Sequence, residues 1–172
     1  MFTRSPVRLR AVAAGAIFGL AVLAPPPGRA ADAPPAAQPD YHPSLADIMT
    51  MSVQPRHIKL GLGGRARNWD YAAYEASELR NAFNRIARTV PTYRQADLAG
   101  MFAANVKDPL DQIDAAIKAR SGAGFDAGYV KLTHACNVCH QGLGHGYVVI
   151  TAPAAGVFPD QSFTPPPRGK RG

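Results

Sequence analysis

The chain has 172 residues, 47% hydrophobic and 18% charged, with a formal net charge of +7 and sixteen each of glycine and proline. That length suits one domain with extensions, and the apolar content and aperiodic glycines exclude collagen-like and wholly disordered chains. Only Pro55, Pro91 and Pro109 fall between Ser44 and Ala152, so a helix-compatible centre stands between two irregular ends.

At the amino end, Arg4, Arg8 and Arg10 precede an uncharged run from Ala11 to Ala24, and Gly28-Arg29-Ala30 presents small residues where a signal peptidase reads. Residues 1–30 therefore read as a secretory signal cut after Ala30. The run is shorter than the roughly 20 residues of a spanning helix, and no cysteine near the cut provides for a lipid anchor. Export to the periplasm is expected, with no membrane span after cleavage. Residues 31–43 form a flexible Pro/Ala-rich lead. Loss of the signal removes four arginines and leaves +3, which Arg168, Lys170 and Arg171 account for, so residues 31–167 are balanced in charge. Balance and export together exclude nucleic acid as a partner.

A domain is expected over residues 44–150. Ser44-Leu45-Ala46-Asp47 looks like a capped start of a first helix reaching about Leu62, interrupted by Pro55 and ended by Gly61, Gly63 and Gly64. Asn68 can cap the next helix, where Trp69, Ala72, Ala76, Leu79, Phe83, Ile86 and Val90 recur at helical steps as far as Pro91. Ala96, Ala99, Met101 and Phe102 suggest a short helical piece. Asp108-Pro109 places a cap before proline at the first helical position, and Leu110, Ile113 and Ile117 form the stripe of a third main helix. Ser121 to Gly124 reads as a turn, and the last helix as Phe125 to about Gln141, stopped by Gly142, Gly144 and Gly146. Tyr147 to Ile150 is a short run that can be extended, and residues 151–172 are a Pro-rich irregular extension with a basic tail. Four main helices without an alternating hairpin pattern predict an all-α fold, an antiparallel four-helix bundle.

Both cysteines lie in Cys136-Asn137-Val138-Cys139-His140, the C-x-x-C-H pattern of covalent haem attachment, which a shuffled chain of this composition shows about 3 times in 10,000. The spacing has a chemical reason. Each thiol adds across one haem vinyl group, the neighbouring imidazole ligates the iron, and offsets of three and four put all three groups on one helix face. A thioredoxin-like dithiol would want a parallel-sheet context, and a zinc site would want a second ligand pair; the pattern offers neither. One covalently bound haem c per chain is expected, with Cys136 and Cys139 as thioethers and His140 as the proximal iron ligand.

With this motif on the last of four helices, the chain resembles the cytochrome c-prime superfamily, the class II c-type cytochromes. Gln54-Pro55-Arg56-His57-Ile58-Lys59-Leu60, Asn68-Trp69 and Tyr74-Glu75 further resemble a subgroup of exported monohaem proteins. The resemblance covers roughly residues 44–163 and implies a sixth iron position that is either open to small gases or filled by a methionine near the start of the first helix. Met49 matches that placement, whereas Met51 faces elsewhere. His57, two turns beyond Met49 on the same face, is the distal alternative. Each also has a structural reading, core filler for Met49 and a hydrogen-bonded histidine for His57. His145 is too close to His140 to reach the opposite face, and His42, His134 and Met101 rank below. Arg56, Arg65 and Arg67 are candidates for pairing with haem propionates, and Trp69, Phe83 and Tyr129 for packing the core. The functions implied are an exported single-electron carrier or, alternatively, a five-coordinate binder of nitric oxide or carbon monoxide. Neither is an enzyme. The partners implied are redox proteins, with a second copy of the chain as another, and the extension offers a segment for covering the haem edge or docking.

Overall fold

The computed structural model describes residues 41–154 and 158–167; the segment read as a secretory signal, nearly all of the expected lead and the basic tail residues Arg168, Lys170 and Arg171 lie outside the described residues. The first helical stretch opens on a reciprocal capping box. The Asp47 amide donates to the Ser44 hydroxyl at 3.2 Å, and the Ser44 amide donates to the Asp47 carboxylate at 3.1 Å. Helix α1 (Leu45–Ile48) passes into a π turn (Met49–Val53) and then α2 (Gln54–Arg65). Pro55 thus falls in the first turn of α2, directly after the π turn, and the helical backbone runs through Val53 and Gln54 without a break.

Gly61, Gly63 and Gly64 do not end this helix but lie inside it. A side chain at Gly61 would overlap the Tyr129 ring, one at Gly63 the Tyr71 ring, and one at Gly64 the Phe125 ring. Close packing of two helices offsets the poor helix propensity of glycine. The stop comes later, where Arg67 adopts a left-handed φ of 58°. Asn68 N–H then reaches Gly63 O and Arg67 N–H reaches Gly64 O, both at 3.0 Å, a Schellman closure with arginine in the usual glycine position.

Helix α3 (Trp69–Thr89) is capped by the Asn68 side chain, which accepts from the Tyr71 amide, and buries Ala72, Ala76, Leu79, Phe83 and Ile86. An unforeseen hairpin follows, β1 (Thr92–Tyr93) paired antiparallel with β2 (Ala96–Asp97). Arg94 and Gln95 at its tip have φ of 46° and 66°, the backbone that a two-residue hairpin turn requires. Ala96 belongs to β2 and not to the expected helical piece, which is α4 (Leu98–Asn105), burying Leu98 and Phe102.

Helix α5 (Lys107–Lys118) follows at once. Asp108 does not cap it: Val106 accepts from the Leu110 amide and donates to Phe102 O, continuing both helices, so Asp108 and Pro109 sit within the first turn. Helix α6 (Gly122–Gly142) begins inside the expected turn because the Ser121 hydroxyl accepts from the Gly124 amide. It ends at Gly142, with Gly144 at a φ of 75°.

The described residues are mostly helical, of the all-α class, with one small two-stranded sheet. α2 packs on α3 and α5 on α6. Arg56 pairs with Glu75 while Gly63 meets Tyr71, and Lys131 donates to Gln112 while Gly124 meets Ala116, so each pair makes its contacts in opposite chain order. The core is centred on Leu60, Leu79, Ile86, Ile113, Phe125 and Leu132. The described residues beyond α6 have no regular structure and make contacts with α2 and α3. Arg65 donates to Pro153 O, Asn68 to Phe163 O at 3.3 Å, and Gln161 to the Tyr71 hydroxyl at 2.7 Å.

Candidate functional site

The last turns of α6 present Cys136, Cys139 and His140 to one cleft, part of it open to solvent. Another part of the lining is the first helical stretch, where Met49, Val53 and His57 recur at four-residue steps through the π turn. Phe83 of α3, Leu98, Met101 and Phe102 of α4, and Val148 and Ile150 beyond α6 complete an apolar lining. Clefts of this kind, apolar with a few convergent polar groups, are the usual form of a ligand or cofactor site.

The two cysteines are unpaired. Burial, and then the neighbouring Cys139, push the Cys136 thiol up to about 12, and burial raises Cys139 as well. This is the reverse of the environment that activates a redox dithiol or a thiolate metal ligand. Among the described residues no three His, Cys, Asp or Glu side chains gather as a metal cage.

His140 has the opposite character, a ring prepared for ligation. Its Nδ1 lies 2.7 Å from Val148 O. A carbonyl oxygen can only accept, so Nδ1 carries the hydrogen, and in the neutral ring Nε2 keeps its lone pair for a metal. Two thiols at this spacing, an imidazole with Nε2 available and an apolar cleft fit a haem c held by Cys136, Cys139 and His140.

His57 is 2% exposed. Its Nε2 lies 3.0 Å from Thr133 Oγ1 and its Nδ1 3.1 Å from the Tyr129 hydroxyl, whose ring stacks on it at 4.8 Å. The Thr133 hydroxyl donates to Tyr129 O at 2.9 Å, so in the neutral ring Nε2–H donates to Thr133 Oγ1 and Nδ1 accepts from the Tyr129 hydroxyl, which also lies 2.9 Å from His57 O. Burial lowers the imidazole to about 4 and raises the Tyr129 phenol, so both are neutral near pH 7.

Met49 and Met101 both line the cleft, whereas Met51 is exposed. His145 faces the Tyr93 and Tyr147 hydroxyls, His134 lines a separate surface groove, and His42 is exposed. The three arginines read as propionate partners do not line the cleft: Arg56 pairs with Glu75, Arg65 donates to Gly61 O and Pro153 O, and Arg67 pairs with Asp126. Phe83 lines the cleft, Trp69 packs against the core, and Tyr129 is a buried partner of His57. Sequence reasoning missed Thr133 and the Val148 carbonyl. Thr133 carries a weak signal, one turn before Asn137 and one turn after Tyr129; a backbone carbonyl carries none. Among the described residues no helix is long and apolar enough to cross a membrane. No protein-family model, curated protein or solved structure matches this chain.

Proposed function

We propose that this chain is an exported monohaem c-type cytochrome of class II type, an antiparallel four-helix bundle that carries single electrons in the periplasm between redox proteins. The observation that carries the reading is the meeting of Cys136, Cys139 and His140 on one apolar cleft, with the His140 Nδ1–H held by Val148 O and Nε2 left for iron. The haem supplies the one-electron chemistry; the chain sets its ligands, its exposure and its surroundings. Cys136 and Cys139 hold it covalently and His140 is the proximal ligand.

Met49 is the distal ligand in this reading. Both ring nitrogens of His57 already have partners on α6, whereas Met49, which also lines the cleft, is a thioether without that commitment. Methionine ligation raises the reduction potential, which suits a carrier. No nucleophile or acid–base pair is needed for electron transfer, so the chain is read as a carrier and not a catalyst. The apolar lining by Phe83, Leu98 and Phe102 favours the second reading, a five-coordinate binder of nitric oxide or carbon monoxide, since an uncharged gas needs no polar partner.

The test is the spectrum of protein exported in a host that attaches haem. Haem retained after denaturation and acid–acetone extraction is expected. The reduced protein should be low-spin and slow to take up carbon monoxide, Met49→Ala should open it to the gas, and His57→Ala should leave the ligation intact. A high-spin wild-type protein that binds carbon monoxide at once selects the gas binder. Haem that extracts freely overturns both readings.

A further inference from the structure

Asn137 occupies a variable position of the haem box, yet every polar atom of its side chain is used. Nδ2 donates to Ile150 O at 2.9 Å and to Thr133 O at 3.2 Å, while Oδ1 accepts from Ile150 N–H at 2.8 Å. The reciprocal pairing with Ile150 fixes the amide orientation, because the flipped amide would set N–H against N–H and oxygen against oxygen. A side chain on α6 therefore grips the backbone of a segment thirteen residues away, as a neighbouring strand would.

The grip matters because little else holds that segment. Tyr147 is 79% exposed, Val148 43% and Val149 67%. Upstream, a turn is closed by Val148 N–H on His145 O at 2.8 Å and His145 N–H on His140 O at 2.7 Å. Between that turn and the Asn137 grip stands Val148 O, the acceptor for His140 Nδ1–H. Two anchors thus bracket one carbonyl, and one of them belongs to the haem box itself.

We propose that Asn137 is a positioning residue for the proximal ligand: by clasping Ile150 it holds the Val148 carbonyl on His140 Nδ1 and so sets the electron donation of the ring to iron. This rests on the haem reading given above. A bond from Nδ1–H to a carbonyl raises the basicity of the ligating nitrogen and fixes the ring plane. A more basic ligand stabilises the oxidised iron and lowers the potential, and breaking the clasp reverses this.

The test uses the exported holoprotein as wild type, Asn137→Ala, Ile150→Pro and the double variant. Ile150→Pro removes the N–H that Asn137 Oδ1 accepts and leaves the haem box untouched, so it decides the matter if Asn137→Ala fails to fold. The readouts are hydrogen exchange of the His140 ring N–H by nuclear magnetic resonance, the midpoint potential, and the melting temperature. Each single variant should exchange that proton at least tenfold faster and raise the potential, by up to about 59 mV for a tenfold change in a one-electron equilibrium. The double variant should go little beyond either single one, since both break one clasp. Folded, haem-loaded Asn137→Ala or Ile150→Pro protein with wild-type exchange and potential overturns the proposal. Additive effects in the double variant also overturn it. A wild-type chain without covalent haem overturns instead the functional reading on which it rests.

Discussion

His57 sits where a charge is unwelcome. Its ring is buried, its partners Tyr129 and Thr133 are neutral, and burial lowers its protonation from the ordinary 6.5 to about 4. Between those values the unfolded chain takes up a proton that the folded chain refuses, so stability falls as pH falls through that window and is level above it. The full difference is worth about 3 kcal/mol. The melting temperature should decline from pH 6.5 towards 4, and His57→Gln, which does not titrate, should flatten that slope; a parallel slope in the variant would refute the assignment. Glu75 poses the converse case, a carboxylate 1% exposed beside Arg56, whose nitrogen is 3.1 Å and 3.3 Å from its two oxygens. Arg56→Met leaves that carboxylate without its cation, and because Arg56 is partly exposed the cost should be about 1–3 kcal/mol by denaturant titration. Adding Glu75→Gln to Arg56→Met should recover most of the loss. That Cys136, Cys139 and His140 share one cleft was legible because a short spacing on one helix puts them on one face. The state of His57 was not, because its partners are seventy-odd residues away in the chain and only the fold brings them together.

At the scale of elements, the helices with strong periodic stripes were readable, and the discrepancies lie where packing or backbone geometry overrides local preference. The stripe of α3 and the Asn68 cap follow directly from residue spacing, as does the Ser44–Asp47 box. The hairpin at Arg94 and Gln95 was illegible because neither residue is a usual carrier of positive φ. The glycines of α2 mislead in an instructive way. Read locally, they end a helix, but they are the places where α3 and α6 approach α2 too closely for a side chain. Gly64→Ala should therefore destabilise the protein by about 1–3 kcal/mol through overpacking against Phe125, despite alanine being the better helix former. Gly146→Ala is the comparison, since its added carbon would meet nothing nearer than Gln141 at 3.6 Å. Equal melting temperatures for the two variants would show that the α2–α6 contact yields without cost.

For the whole molecule, the Pro-rich extension covers the α2–α3 junction and not the cleft proposed to hold haem. Its described part is held by specific partners: Asn68 on Phe163 O, Gln161 on the Tyr71 hydroxyl, and Lys59 over the Phe158 ring at 4.8 Å. Asn68 also caps α3, so the extension reaches the α2–α3 junction itself. Proline lowers the entropy lost on ordering such a segment, which lets few contacts hold it. None of residues 158–167 lines the cleft. Cover of that junction and the proposed haem chemistry are therefore separable, and a chain ending at Ala154 tests this. Two hydrogen bonds and one cation–π contact amount to about 1–3 kcal/mol, so the truncated protein should melt earlier while its haem content, reduced spectrum and potential stay as in the full chain. An unchanged melting temperature would mean that the extension merely lies on the bundle. A changed spectrum would mean that strain at the α2–α3 junction travels along α2 to His57 and Met49, making the extension part of the ligand wall.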